Sequence, residues 1–271
     1  MIDAKGIIVK YIFIRICRVN NLNYALKYKK DIDSGGFEKN LVNYRRRQLI
    51  EIFTKFGSKN IVEVGCGTDP IFCWFTNFKK ITIIERSREF CDIANAFLDD
   101  QKNANSESVS IINKSLEDCK DLGAESDFIV LSSILHEVDN PKSFMNHLKS
   151  MLKGEEYIYI NVPNANSLHR LIALEAGIIK NQSEVSSRGS SFNTMRVFTI
   201  DDLKNLAVSS GFFVEDYGTI GLKPFTHVQM DKIIDNKNSA SKVLTKALFN
   251  SDNIVKGIGS EIWMLLRVSK K

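Results

Sequence analysis

The first group of residues that could bind a ligand is a glycine-rich turn that directly follows a short apolar run. The sequence I-V-E-V-G-C-G-T-D-P spans Ile61–Pro70, and its apolar start predicts a buried strand that ends at Val64. Gly65 and Gly67 allow a sharp turn and a close approach of the backbone to a ligand, because neither carries a Cβ atom. Ligands of open parallel sheets bind just beyond such strand ends. The turn therefore predicts a ligand site at the end of the first strand.

The ligand at this turn is predicted to be a nucleoside rather than a dinucleotide. The third glycine of G-x-G-x-x-G is missing, and Pro70 stands in its place. A pyrophosphate cradle is therefore disfavoured, which makes a nicotinamide-dependent oxidoreductase the weaker alternative. A second apolar run over 81–84 is followed by Glu85, whose carboxylate can accept hydrogen bonds from both ribose hydroxyls.

Three histidines are candidates for a general base. His136 follows the fourth apolar run, His169 follows the fifth, and His227 lies in a late loop after Lys223. Each is expected at the rim where the nucleoside ligand would meet a second molecule. A positioned base contributes about 10²–10⁴-fold to the rate of a proton-transfer reaction. The alternative for each histidine is a packing role, and His147, inside a predicted helix, is expected to be structural.

The elements that must position these residues alternate between strands and helices. Strands are predicted over 61–64, 81–84, 109–112, 128–131, 157–162, 212–220 and 262–268. Helices are predicted over 41–56, from about Pro70, where Asp69 suits the cap, and over 88–98, 141–152, 167–177 and 201–210. The alternation predicts an α/β fold with a seven-stranded, mostly parallel sheet and helices on both faces. The last two strands predict an antiparallel edge.

Segments outside this core are expected to cover it. Residues 1–57 predict an N-terminal helical segment over the ligand site, and residues 58–271 the main α/β domain. Within that domain a polar stretch at about 178–197 predicts a lid, and about 221–260 predicts an insertion between the last two strands. The apolar residues around 11–17 could pack on the protein's own core or on a second subunit, so a homodimer remains open.

Composition narrows the class of protein. The net charge is +5 and 44% of the 271 residues are hydrophobic, which is ordinary for a globular protein. No arginine–aromatic stripe suggests a nucleic-acid partner, and no run approaches the roughly 20 apolar residues that span a bilayer. The five cysteines lack metal-site spacing and predict reduced thiols in the cytoplasm. Asp127, Asp139 and Asn140 do not have the spacing of a metal site, so no metal is expected.

Together these motifs resemble the class I S-adenosylmethionine-dependent methyltransferases. E-V-G-C-G-T is similar to their motif I, Glu85 matches their ribose-binding acid, and D-F-I-V-L-S-S-I-L-H-E-V-D-N-P matches motif IV. The resemblance implies the Rossmann-like methyltransferase fold with S-adenosylmethionine as cofactor. It implies a cofactor-binding set of Tyr44, Arg45, Glu63, Gly65, Cys66, Gly67, Thr68, Glu85, Arg86, Ser115, Leu116, Glu117, Ser132 and Ser133. Asp69 replaces a motif I glycine, and His136-Glu137 replaces the Glu-His of many relatives, so the role of that imidazole does not carry over.

A narrower resemblance concerns the acceptor. V-P-N-A-N-S-L-H-R and G-L-K-P-F-T-H-V-Q-M are similar to a bacterial group associated with the tailoring of surface glycans such as capsule and lipopolysaccharide. This implies O-methylation of a sugar, or of a nucleotide-linked or phosphorylated precursor. Asn164, Arg170 and Lys223 are expected to bind this small, anionic acceptor, with Arg188 nearby. Two alternatives stay open, methylation of an amine nitrogen and a non-catalytic cofactor-binding module. RNA or protein methylation is disfavoured, because L-S-S-I-L-H stands where an N-P-P-Y-like tetrad would.

Overall fold

A seven-stranded sheet forms the centre of the molecule. The computed structural model describes residues 24–33, 35–100, 106–122, 126–234, 239–251 and 254–269, and the apolar segment around 11–17 lies outside them. The strands are β1 (Asn60–Val64), β2 (Lys80–Ile84), β3 (Val109–Ile112), β4 (Phe128–Ser132), β5 (Tyr157–Pro163), β6 (Phe212–Ile220) and β7 (Glu261–Val268). Their order in the sheet is β3-β2-β1-β4-β5-β7-β6. The predicted seven-stranded, mostly parallel fold is confirmed.

The antiparallel strand lies one position in from the edge. β7 pairs antiparallel with β5 on one side and with β6 on the other, so β6 is the edge strand and runs parallel to the first five. The side chains explain this order. Ile262, Met264 and Leu266 of β7 are fully buried, whereas Phe213 and Tyr217 of β6 are exposed. A strand with one solvated face suits the edge, and an apolar strand suits the interior.

Helices cover both faces of the sheet. They are α1 (24–33), α2 (Phe37–Phe56), α3 (Arg88–Asp100), α4 (Pro141–Ser150), α5 (Leu168–Glu175), α6 (Ser187–Ser191), α7 (Ile200–Ser209), α8 (His227–Ile233) and α9 (Ser239–Asn250). One apolar cluster joins Val62 and Leu131 to α4 and α7. A second joins Ile61 and Phe128 to α2 and α3. In the described ranges no helix is long and apolar enough to cross a membrane.

The helix predicted from about Pro70 is wrong. The chain forms only a single 3₁₀ turn, Ile71–Cys73, between β1 and β2. The 15 residues from Gly65 to Lys79 would be enough for a crossover helix with its two turns, so the length of the connection is not what prevents one. Ile71, Phe72 and Phe75 instead bury their side chains under the sheet. No α-helix therefore begins at this turn to place its N-terminal dipole at the ligand site.

The cysteines of the described residues are not paired. Cys66, Cys91 and Cys119 are buried and Cys73 is half-buried, and all four are free thiols. Burial, with the carboxylate of Glu85 nearby, raises the pKa of Cys91 to about 11. These thiols are therefore protonated and act as small apolar side chains. The fifth cysteine, Cys17, lies outside the described residues.

Candidate active site

The glycine turn after β1 has a backbone conformation that favours glycine. Gly65 and Gly67 have φ angles of +75° and +56°, in the left-handed region that favours glycine. A Cβ atom on Gly65 would lie 2.2 Å from Cδ1 of Ile134. The backbone N–H of Gly65 donates to the carbonyl of Ile84 at 2.9 Å. The turn is thus held between β2 and the loop that follows β4.

Glu85 joins the turn to the end of β2. Its carboxylate accepts hydrogen bonds from the backbone N–H groups of Cys66 at 3.1 Å and Ser87 at 2.7 Å. The residue is 4% exposed, and this burial raises its pKa although the backbone N–H groups act in the opposite direction. A carboxylate has about four acceptor positions. Glu85 therefore retains acceptor capacity for two hydroxyl groups of a ligand.

Two of the residues predicted to bind the cofactor, Glu63 and Tyr44, lie outside the ligand site. Glu63 is fully buried and accepts from Nη1 of Arg46 at 2.8 Å and from the backbone N–H of Ile71 at 2.9 Å. Along β1 it shares the face of Ile61, which packs toward α2, so it points away from the ligand site. The ring of Tyr44 stacks on Phe249 with centroids 3.9 Å apart. Neither side chain lines the cavity described next, so a role for either in binding a cofactor stays a prediction.

One cavity of about 450 Å³ follows the carboxyl edge of the sheet. This volume lies within the range of small-molecule sites. It passes the ends of β1 to β6, and α1 and α6 lie over it. The remaining predicted residues line it: Arg45, Gly65, Cys66, Gly67, Thr68, Glu85, Arg86, Ser115, Leu116, Glu117, Ser132, Ser133, His136, Asn164, His169, Arg170, Lys223 and His227.

Beyond β3, a loop borders the cavity next to Glu85. Its three predicted residues, Ser115, Leu116 and Glu117, begin a 3₁₀ turn. His147 on α4 donates from Nε2 to the carbonyls of Leu116 and Cys119 at 3.2 and 3.1 Å. This histidine therefore has the structural role expected for it, because it ties the loop to α4.

Arg45, the cation that α2 was predicted to supply, forms an ion pair with Glu261. Arg45 donates from Nε to Oε2 of Glu261 at 2.9 Å and makes a second, shorter contact from Nη2 to Oε1. Burial alone would lower the pKa of Arg45, but the Glu261 carboxylate raises it overall. Asn161 also donates to Glu261 at 2.9 Å. The Arg45 charge is therefore largely neutralised within the protein.

The loop after β4 holds a strained residue and a buried histidine. Ser133 has a φ angle of +61°, and its N–H donates to the carbonyl of Asn161 at 2.9 Å. Such strain in a non-glycine residue is typical of functional sites. Nδ1 of His136 is buried and meets no hydrogen-bond partner among the described residues. Burial, with the charges of Arg45 and Arg196, lowers the pKa of His136 to about 3.

Glu137 is a cavity residue that sequence reasoning missed. Its carboxylate accepts from the hydroxyl of Tyr24 at 2.9 Å and pairs with Nη2 of Arg86 at 3.1 Å. Burial raises its pKa to about 7. The signal that could have found it is its place directly after His136 in the motif IV loop. Tyr24 belongs to α1 and is distant in sequence, so the contact itself was not predictable.

The residues after β5 face a positive region of the cavity. His169 lines the cavity with a buried Nδ1 for which the described residues offer no partner, and burial, followed by Lys223 and Arg170, lowers its pKa to about 2. Arg170 donates to the carbonyls of Gln182 at 2.7 Å and of Glu184. Asn164 donates to the carbonyls of Gly257 and Gly259. Arg170 and Asn164 thus shape the cavity wall as well as lining it.

Three buried ionisable side chains, Glu38, His227 and Lys223, form a row in the cavity wall beyond β6. Nζ of Lys223 lies 2.7 Å from Nδ1 of His227, and Nε2 of His227 lies 2.8 Å from Oε2 of Glu38. Lys223 follows β6, His227 begins α8, and Glu38 lies in the first turn of α2. Glu38 was not predicted, because 189 residues separate it from His227.

A roof of α1 and α6 covers the cavity. Phe192, directly after α6, packs edge-on against Tyr24 and Tyr28 at centroid distances of 6.5 and 6.3 Å. Arg188 of α6 pairs with Asp31 of α1 at 2.5 Å. These contacts join the stretch predicted as a lid to the N-terminal helical segment.

Comparison with known proteins identifies the family. The profile of a family described as "Methyltransferase domain" matches residues 41–217, which is more than half of the chain. The chain belongs to this methyltransferase family. No curated protein matches the methyltransferase.

Solved structures share the fold of the methyltransferase at low sequence identity. The methyltransferase domain of bacterial CtHen1 is 13% identical with a TM-score of 0.56, over 84% of this chain and 100% of that chain. Magnesium protoporphyrin IX methyltransferase from Synechocystis PCC 6803, with bound SAH, is 9% identical with a TM-score of 0.56, over 85% and 86%. A possible histamine N-methyltransferase from Thermotoga maritima is 15% identical with a TM-score of 0.52, over 86% and 94%.

The residues of the cavity fit S-adenosylmethionine. The Glu85 carboxylate suits a ribose, and the buried Oγ1 of Thr68, next to the turn, is unpaired among the described residues. Asp127 accepts from the backbone N–H groups of Lys59 and Asn60, and Asn140 caps α4. Across the described part of the chain, no group of three His, Cys, Asp or Glu side chains is arranged to hold a metal ion.

Proposed function

We propose that the methyltransferase transfers the methyl group of S-adenosylmethionine to an oxygen atom of a small acceptor. The acceptor is a sugar, or a nucleotide-linked or phosphorylated precursor, of a bacterial surface polysaccharide. One observation carries the proposal. A single cavity joins the glycine turn and Glu85 to a second region lined by His136, His169 and Lys223.

The cofactor half of the cavity is built from the first three strand ends. Glu85 would bind the ribose, the loop from Ser115 would border the adenine, and Gly65 and Gly67 would let the backbone approach the rest of the molecule. When bound, S-adenosylmethionine supplies an electrophilic methyl group on a sulfonium sulfur. The protein then has to orient the acceptor and remove its proton, because proximity and orientation supply much of the rate enhancement in such reactions.

The acceptor half supports a small and anionic molecule. The roof formed by α1 and α6 limits the size of what can enter, which disfavours a protein or RNA chain. Arg170 and Arg188 line this half together with Lys223, and the two guanidinium groups would meet a phosphate or carboxylate. The surface-glycan context rests on the sequence resemblance, and the charge of the cavity is compatible with a nucleotide-linked sugar.

N-methylation of an amino sugar or a small amine is the second candidate. The observation that favours it is the presence of carboxylates in the cavity wall. Burial alone would raise the pKa of Glu38, but the hydrogen bond from His227 and the charges of Arg45 and Arg188 lower it to about 2. An ionised Glu38 could hold an ammonium group.

The test is methyl transfer to a defined panel. The purified protein is incubated with methyl-labelled S-adenosylmethionine and, separately, with UDP-, GDP- and dTDP-linked hexoses, hexose phosphates and amino sugars. We expect one of the sugars to gain a methyl group on oxygen, located by mass spectrometry and NMR. Transfer to nitrogen would favour the second candidate. Turnover of none of them, with S-adenosylhomocysteine still bound, would overturn the glycan proposal in favour of a non-catalytic module or another acceptor class.

A further inference from the structure

The row Glu38–His227–Lys223 has a defined direction of hydrogen bonding. The carboxylate of Glu38 is an acceptor, so Nε2 of His227, 2.8 Å away, carries the proton. Nδ1 of the same ring therefore presents a lone pair, which accepts an N–H of Lys223 at 2.7 Å. The ring also packs edge-on against Phe37, with centroids 5.2 Å apart. The orientation and tautomer of His227 are thus both fixed.

This arrangement leaves His227 unable to accept a proton from an acceptor molecule. Both of its ring nitrogens are engaged, one by Glu38 and the other by Lys223. The sequence predicted His227 as a general base, but the group of this row that can accept a proton is the amine of Lys223. Lys223 is 5% exposed and lines the cavity.

Burial keeps the amine of Lys223 available as a base, against the net effect of the charges around it. Burial lowers the pKa of Lys223 to about 7; Arg188 acts in the same direction, and Glu38, Glu261 and Asp231 oppose it. His169 and Arg170 of α5 face the same region. An amine with this pKa is substantially neutral at pH 7–8, where a general base works best.

His136, His169 and Glu137 are less suited than Lys223 to accept a proton from the acceptor molecule. The pKa values of His136 and His169, about 3 and about 2, make both imidazoles poor proton acceptors at neutral pH. Glu137 has a suitable pKa, but Tyr24 and Arg86 occupy its two oxygens, and it lies toward Glu85 rather than toward the acceptor half.

We propose that Lys223 is the general base of the methyl transfer, and that His227 and Glu38 are positioning residues that orient its amine. This inference rests on the proposed function. As the reaction proceeds, the O–H bond of the acceptor breaks and its proton moves to the neutral Nζ of Lys223. The acceptor oxygen forms the new C–O bond, and the C–S bond breaks with its electron pair remaining on sulfur. Lys223 leaves the step as an ammonium group hydrogen-bonded to His227 and then releases the proton to solvent.

A first experiment separates a base from an anion-binding cation. Lys223→Arg keeps the positive charge but cannot become neutral near pH 7. We expect kcat for the sugar that the panel identifies to fall by about 10²-fold or more, while calorimetry shows unchanged binding of S-adenosylhomocysteine. Lys232→Arg, on the exposed face of α8, is the matched control and should retain full activity. Activity of Lys223→Arg within threefold of the wild type would overturn the proposal.

A second experiment needs no acceptor. The rate at which acetic anhydride acetylates each lysine of the full-length protein is followed against pH by peptide mass spectrometry. We expect a midpoint near pH 7 for Lys223. Glu38→Gln should move it about one unit lower, because a negative charge that stabilises the ammonium form is removed, and should leave the midpoint of Lys232 unchanged. A Lys223 midpoint above pH 9 would overturn the proposal even if the wild type methylated nothing in the panel, a result that would count against the proposed function alone.

Discussion

At the scale of single residues, the cofactor end of the cavity depends on backbone geometry more than on side-chain chemistry. Gly65 and Gly67 create the turn, and Glu85 fixes it through two backbone N–H groups. These features were predictable from sequence, because they are local. The orientations of Glu63 and Tyr44 were not, because they depend on which helix packs against each face.

Gly65→Ala is expected to weaken cofactor binding. The added Cβ would meet Cδ1 of Ile134 at 2.2 Å, so that side chain must move, and the left-handed φ of +75° would strain any residue other than glycine. We expect the Kd for S-adenosylmethionine, measured by calorimetry, to rise at least about tenfold, equivalent to ~1.4 kcal/mol. Gly57→Ala is the control, since Gly57 has a similar φ of +64° with nothing within 4 Å. It should lose about 1–2 kcal/mol of stability and keep its affinity.

Glu85 makes cofactor binding dependent on pH. Ribose hydroxyls donate to the ionised carboxylate, so bound ligand favours the deprotonated form. Because burial raises the pKa of Glu85 in the free protein, affinity should fall as the pH is lowered from 8 to 5, and the fall should begin at a higher pH than for an ordinary glutamate. Titration of S-adenosylhomocysteine across this range tests the prediction. Glu85→Gln should bind weakly and lose that part of the pH dependence, and an unchanged profile in this variant would exclude Glu85 as the ribose ligand.

At the scale of elements, the sequence predicted the positions of the strands well. For the segments that cover the cavity it predicted where they lie in the chain but not their contacts. Every predicted strand is present within a residue at each end, because apolar runs between turns are a local signal. The absent helix after Pro70 and the contact between α1 and α6 depend on tertiary packing, which short sequence patterns do not show. Residues 221–260 lie between β6 and β7, and only the structure shows that their α8 brings His227 to Glu38.

Phe192 is expected to control how long the cofactor stays bound. It packs against both tyrosines of α1, and each aromatic pair contributes about 0.5–1.5 kcal/mol. Phe192→Ala should therefore loosen the roof and accelerate dissociation of S-adenosylhomocysteine about tenfold, measured by stopped-flow fluorescence. Val208→Ala, on the exposed side of α7, should leave the rate unchanged. Equal rates in both variants would show that α6 does not act as a lid.

At the scale of the whole molecule, one cavity along the sheet edge links residues from six strand ends. A ligand held by so many elements should stabilise the entire fold. At a concentration 100 times its Kd, S-adenosylhomocysteine should add about 2.7 kcal/mol and raise Tm by about 5–10 °C. EDTA should change neither Tm nor this shift, because no metal is proposed. Loss of the shift on chelation would contradict the metal-free site.

The measurement that tests the assignment most directly is calorimetric titration of the purified protein with S-adenosylmethionine, S-adenosylhomocysteine and NAD. We expect micromolar binding of the first two ligands and no binding of NAD, because the turn after β1 has Pro70 where a dinucleotide site has its third glycine. Binding of NAD without either sulfur ligand would contradict the assignment of this cavity to methyl transfer.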